Sequence, residues 1–264
     1  MKIFILAIYC VAAIGFATAQ TPVIRWPEGK QVAISLTFDD ARASQVERGT
    51  ALLNEYGVKA TFYVVPSAVK EKLAGWKRAV QAGHEIGSHS VNHPCSGNFV
   101  WSRTKALEDY TTSRMHDELV QSNAMITNLL GVTPQSFAYP CGQKFVGRGA
   151  GTQSYVPVVA GLYQSGRGWL DEAANDPLYC DFAQLTGVES DGKEFEEILP
   201  LIEQAKKDHL WLVLAGHEMA DEGAQTTRLS MLKKLLAYAT DPSHGIWIAP
   251  VGAVATYVEG AKKK

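Results

Sequence analysis

After its first twenty residues the chain has no apolar run approaching the ~20 residues a bilayer-spanning helix needs. Charge of one sign is missing too: 25 Lys and Arg stand against 27 Asp and Glu, a formal net charge of −2. A nucleic-acid binder normally carries a basic patch or stripe, so no nucleic-acid partner is expected. The cluster Lys262-Lys263-Lys264 reads as a solvated chain end. No internal repeat, low-complexity block or linker divides the chain. At 264 residues and 46% hydrophobic, it is too long to need staples and can build one full core. The glycine-rich run Gly147-Arg148-Gly149-Ala150-Gly151 lacks the lysine and serine or threonine that complete a phosphate loop, and reads as a flexible rim segment.

What is present begins with Lys2, an apolar run from Ile3 to Phe16, and the small-residue site Ala17-Thr18-Ala19. These are the parts of a secretory signal peptide over residues 1–19, cleaved after Ala19, which implies a secreted or periplasmic protein without stable membrane insertion. Residues 20–264 are expected to form a single domain. Cys10 lies in the leader; Cys95, Cys141 and Cys180 remain. In an oxidising compartment two of the three can pair and leave one free. Sequence does not fix the pairing. Cys95–Cys141 is one candidate, because both adjoin chemically loaded stretches.

Strand-like and helix-like stretches alternate. Strands are expected over 32–38, 59–65, 84–88, 136–139, 210–215 and 246–249. A further strand is read over 156–163, despite Pro157 near its start. Helices are expected over 44–56, 66–82, 113–130, 194–207, 226–239 and 251–260, the first three ended by Gly57, Gly83 and Gly131. About seven β-then-α units in one domain make this an α/β chain, and favour a barrel over an open sheet.

Asp39 and Asp40 close the first strand. Neighbours on a strand point to opposite faces, so both can serve one site only where the strand opens into a loop. Two adjacent carboxylates also repel, and a cation would give them separate roles. His89 and His93, after the third strand, supply imidazoles at a spacing that suits one metal ion. Two imidazoles and one carboxylate leave positions open for water and substrate, as in a catalytic zinc site. These residues, and His217, follow strand C-terminal ends, where α/β barrels build active sites.

Thr37-Phe38-Asp39-Asp40 and His89-Ser90-x-x-His93 resemble the first two motifs of the metal-dependent polysaccharide deacetylases, the NodB-homology or carbohydrate esterase family 4 enzymes. Ala60-Thr61-Phe62-Tyr63 and Gly83-His84-Glu85-Ile86-Gly87 resemble its connecting stretches, and Leu214-Ala215-Gly216-His217 its last motif. The resemblance covers roughly residues 30 to 255. It implies a distorted, seven-stranded (β/α) barrel that removes acetyl groups, N- or O-linked, from a carbohydrate. Asp40, His89 and His93 would bind one divalent ion, zinc by default, with cobalt or another divalent ion able to use the same ligands. Asp39 would be the general base and His217 the general acid. Tyr139, Cys141, Trp169 and Leu214 would contact substrate, Cys141 through its backbone N–H and Leu214 beside the acetyl methyl.

Two departures stand out. Ala138 occupies the place of the arginine that orients the base in the family, leaving Arg42, Arg148 and Arg167 as candidates for that task. Glycine, not aspartate, precedes Trp169, so the acid that tunes His217 is not identified; Asp171, Asp176 and Asp181 are near in sequence. These departures keep two other readings open: a same-fold hydrolase of a cyclic imide or ureide, and a non-catalytic carbohydrate binder. Of the remaining histidines, His84 is expected to be a structural hydrogen-bonding residue, His116 to face solvent, and His209 and His244 to cap or turn.

Overall fold

The computed structural model describes residues 24–263. The expected leader, with Cys10, lies outside them. The first strand, β1 (Val32–Asp39), is buried along its whole length. A π-helical turn (Gln45–Gly49) leads into α1 (Thr50–Glu55). Then come β2 (Thr61–Val64), α2 (Pro66–Glu71), α3 (Leu73–Gln81) and β3 (Glu85–Ser88). The helix expected over 66–82 is broken at Lys72 (φ −127°, ψ 36°). The break lets α3 lie close on the π-turn: a Cβ at Gly75 would come within 2.8 Å of Val46.

Helix α4 (Thr112–Leu130) has well-made ends. The Thr111 side chain accepts the Arg114 N–H, and Gly131 takes a left-handed φ of 75° as its N–H reaches the Thr127 carbonyl. Strand β4 (Ser136–Ala138) follows, then a two-residue-per-strand hairpin, β5 (Phe145–Val146) with β6 (Gln153–Ser154), inside the glycine-rich stretch.

Residues 156–163, read as a strand from their valines, form a helix instead: α5 (Val156–Leu162). Pro157 sits in its first turn, where the missing N–H costs nothing and the fixed φ suits a helix. Two short strands of the main sheet have no counterpart in the sequence reading, β7 (Ser165–Arg167) and β8 (Val188–Glu189). Next are α6 (Phe195–Lys207), β9 (Trp211–Gly216), and the small parallel pair β10 (Glu218–Ala220) and β11 (Thr226–Arg228). The helix expected from 226 starts three residues later, as α7 (Leu229–Thr240), because β11 is drawn into that ladder. Strand β12 (Ile246–Ile248) and α8 (Val251–Lys262) complete the chain.

The main sheet is parallel throughout and runs β7-β4-β3-β2-β1-β9-β8. Strand β12 also joins β1, over Val32–Ile34, below the Thr37–Asp39 stretch that pairs with β2. The sheet curls until its edges meet. Gly168 N–H reaches the Leu185 carbonyl (2.7 Å), and Leu185 N–H reaches that of Gly166 (2.8 Å). This is the distorted (β/α) barrel expected. Its largest hydrophobic cluster joins β1, β2 and β9 to the surrounding helices through residues such as Ile34, Phe62, Trp76, Leu212 and Leu235. Helix α8 docks at the N-terminal ends of β2 and β3: Val251 N–H meets Thr61 Oγ1, and Gly252 N–H meets the Glu85 carboxylate (2.9 Å each). Among the described residues no helix is long and apolar enough to cross a membrane.

Candidate active site

Asp39 ends β1 and is 3% exposed. Its carboxylate forms an ion pair with Arg167, which is itself fully buried. Asp40 and Ala41 then take left-handed φ values of 73° and 57°. That turn separates the two carboxylates, because it breaks the strand between them and sends Asp40 toward the histidines. Non-glycine residues rarely hold this conformation, and when they do it often marks a functional loop. His93, Cys141 and Leu170 on the same rim share it.

His89 follows β3 and is 1% exposed. Its Nδ1–H donates to the Ala138 carbonyl at 2.8 Å, which leaves Nε2 as the free lone pair. His93 is placed by a turn in which its N–H meets Ser90 Oγ at 2.9 Å. Both Nε2 atoms face one oxygen of Asp40, His89 at 3.5 Å and His93 at 3.3 Å. Donor atoms held ~2.0–2.1 Å from a tetrahedral zinc lie about 3.3 Å from one another, so the three fit a single ion. Ligand atoms of Asp40, His89 and His93 all fall within 4.8 Å.

Charge supports the same assignment. Burial and the neighbouring His89 push the His93 pKa down to about 4, so the ring is neutral at pH 7, as a ligand must be. Burial opposes charge on Asp40, but His89, His93, His217 and Arg42 outweigh it and hold the carboxyl below its ordinary value. Arg42 donates from Nε (3.1 Å) and Nη2 (2.9 Å) to Oδ2 of Asp40, leaving Oδ1 for the imidazoles.

His217 follows β9. Its Nδ1 lies 2.7 Å from Asp191 Oδ2, which leaves Nε2 as the nitrogen free to act. Asp191 is held by two donors to its other oxygen, the His217 N–H (3.2 Å) and the Thr227 hydroxyl (2.8 Å). The indole of Trp169 meets the imidazole edge-on at 4.7 Å. Burial disfavours the His217 charge, but the Asp191 hydrogen bond and the charges of Asp39 and Asp40 raise its pKa above the usual value. A raised pKa keeps the ring protonated to higher pH. It also stabilises the fold below the ordinary histidine pKa, a gain lost as pH rises through the raised value. Asp191→Asn should therefore move the alkaline limb of kcat/KM about one pH unit toward acid and lower kcat about 10- to 100-fold. A pH–rate profile of the variant checks both.

The structure settles several placements left open by the sequence. Of the three candidate arginines, Arg167 meets Asp39, Arg42 meets Asp40, and Arg148 pairs with Asp109 at the surface (2.7 Å). Arg167 stands directly across the ladder from Ala138, so the guanidinium reaches the base from the next strand over. The partner of His217 is none of Asp171, Asp176 and Asp181 but Asp191, two residues after β8. Cys95 and Cys141 form a disulfide and Cys180 is free. The bridge ties the loop after His93 to the loop after β4.

Asp39, Asp40, His89, His93 and His217 share one cavity of about 830 Å³, with Tyr139, Cys141 and Trp169 also in its wall. Tyr139 is fully buried and spends its hydroxyl on the Ala183 carbonyl (2.7 Å). Leu214 does not reach this wall; it is 1% exposed in the main core cluster. His84 accepts the Ala60 N–H at Nδ1 (3.2 Å), and burial and Lys59 push its pKa down to about 4. His116 faces solvent beside Asp117. Gln45 has no counterpart in the sequence reading. Its buried amide donates to the carbonyls of Asp39 (2.6 Å) and His217 (2.8 Å), joining the two rim turns.

The fold is a (β/α) barrel whose rim gathers two histidines and one carboxylate that could hold a metal ion. Residues 25–147 match the family model described as polysaccharide deacetylase. It is 27% identical over 233 residues to chitin deacetylase 1 of Cryptococcus neoformans, covering 88% of this chain and 46% of that protein. Peptidoglycan deacetylase PdaC from Bacillus subtilis has a similar solved structure, with TM-score 0.54, 16% identity and coverage of 88% and 91%. Puue allantoinase is similar too, with TM-score 0.66, 14% identity and coverage of 96% and 98%. The chain spans less than half the length of the curated relatives it matches.

Proposed function

We propose that this chain is an exported, metal-dependent hydrolase that removes acetyl groups from a carbohydrate. Residues 1–19 would be its leader and residues 20–264 its single catalytic domain. The observation that carries the reading is the gathering of Asp40, His89 and His93, Asp39 with Arg167, and His217 with Asp191 in one cavity. Asp40, His89 and His93 would hold one divalent ion, zinc by default. When bound, such an ion supplies an activated water and a Lewis acid for the acetyl carbonyl.

Asp39 accepts the proton of the attacking water, and Arg167 holds its carboxylate in position. His217, protonated at Nε2, returns a proton to the departing amine or alkoxide, while Asp191 fixes its tautomer and orientation. Cys141 offers its backbone N–H to the oxyanion, and Trp169 and Tyr139 wall the acyl site. The direct test is acetate release from N-acetylated chitin oligomers, peptidoglycan fragments and acetylated xylan, with and without a chelator. Chelator-sensitive release restored by zinc is the expected result. The same panel includes allantoin; ring opening of that ureide with no acetate release would replace this reading.

A further inference from the structure

Helix α4 buries a carboxylate that the proposed reaction does not use. Glu118 is 6% exposed. It accepts three hydrogen bonds, none of them from a cation. The Asn92 N–H reaches Oε1 (2.9 Å), while the Asn92 side-chain amide (3.0 Å) and the Tyr110 hydroxyl (2.6 Å) reach Oε2. Burial and the Glu118 hydrogen bond push the Tyr110 pKa up to about 12, so its hydroxyl is a donor at pH 7. A buried acid without a counter-ion is costly. What it offers here is two oxygens that both accept, where three donors converge.

Asn92 is the residue before His93, and its carbonyl is taken by Lys105 Nζ. Its main-chain N–H, main-chain carbonyl and side-chain amide are therefore all fixed. In the same turn Ser90 and His93 hold left-handed φ values of 65° and 49°. Such conformations persist only where the surroundings over-determine them. One turn further along α4, Ser122 Oγ lies 2.9 Å from Ser88 Oγ at the end of β3, and Ser88 Oγ also takes the Ser90 N–H (3.4 Å). Glu118 and Ser122, four apart on one helix face, thus brace the chain on either side of the turn between the two histidines. At the rim that turn brings both imidazole Nε2 atoms to one Asp40 oxygen, at 3.5 and 3.3 Å.

We propose that Glu118 is a positioning residue for the metal centre: through Asn92 it fixes the turn that presents His93 Nε2 alongside His89 and Asp40. This rests on the ligand set in the reading given above. Glu118 touches neither ion nor substrate. It holds the ligand geometry before the ion arrives, and so sets how tightly the ion binds.

The test measures the zinc affinity of the full chain by competition with a chromophoric chelator. E118Q sets an amide NH2 against a donor at either oxygen, and should bind zinc about 10- to 100-fold more weakly. The double substitution E118Q/N92D exchanges donor and acceptor across the contact, and should recover affinity to within about threefold of wild type. T111A removes the N-cap of the same helix away from the turn. It should lower the thermal midpoint while leaving zinc affinity within about twofold. Equal affinity in wild type and E118Q, an equal loss in T111A, or a double variant no better than E118Q overturns the positioning role. If E118Q does not fold, N92A, which keeps the main-chain hydrogen bond, decides: weaker zinc binding supports the role and unchanged binding overturns it. If wild type binds zinc but releases no acetate, the activity reading fails and the zinc affinities still decide Glu118. Wild type that binds no zinc overturns both the ligand set and this role.

Discussion

His93→Ala should lose bound zinc and acetate release together. Its Nε2 lies 3.3 Å from the same Asp40 oxygen that His89 faces, so its removal leaves two ligands where three are needed. The expected fall in kcat/KM is about a thousandfold or more, because the water loses its activation and the carbonyl its Lewis acid together. Metal content after dialysis and acetate release from a chitin oligomer measure the two losses. The fold should persist, because His93 is partly exposed and the disulfide still anchors the loop beyond it. Full activity in this variant would remove Asp40, His89 and His93 as the ligand set.

Arg167→Met should cost both stability and rate. Its guanidinium and the Asp39 carboxylate are both out of water, and Tyr63 and Trp169 lie within 5.0 and 6.0 Å of the cation. Removing one partner of a buried pair strands the other charge, at about 3–5 kcal/mol. Activity should drop about 100- to 10,000-fold as the base loses its aim. Urea unfolding and initial rates separate the two effects. The double variant D39N/R167M should recover much of the stability and none of the rate, since it no longer buries a lone charge and has no base. Arg167→Lys should rescue little, because an ammonium cannot reproduce the planar fork that reaches both Asp39 and the Gly168 carbonyl.

These two experiments probe parts of the site that differ in how plainly the sequence announces them. Asp39, Asp40, His89 and His93 are written in short contiguous stretches at the tips of recognisable strands. Arg167 and Asp191 are not. They arrive on or after β7 and β8, strands of three and two residues that are too short to leave a periodic pattern. Arg167 was visible only as one of three candidate arginines; its position across from Ala138 depends on the register of β4 with β7. Asp191 lies in a stretch with no family signal of its own, and only the β8–β9 pairing brings it to His217. The barrel was legible because long helices such as α4 and α6 carry clear apolar periods. Helix α5 was not, because its valines imitate a strand and its proline is read as a flaw rather than a start.

Gln45 carries a consequence for the reaction. Its amide has two hydrogens, and it spends one on the backbone carbonyl of Asp39 and the other on that of His217. The span between the proposed proton taker, Asp39, and the proposed proton giver, His217, is thus fixed by the scaffold rather than chosen by the substrate. A glutamate in that position would have no hydrogens to give and would force the two turns apart. In the proposed reaction, so rigid a gauge would suit a small acyl group of constant size.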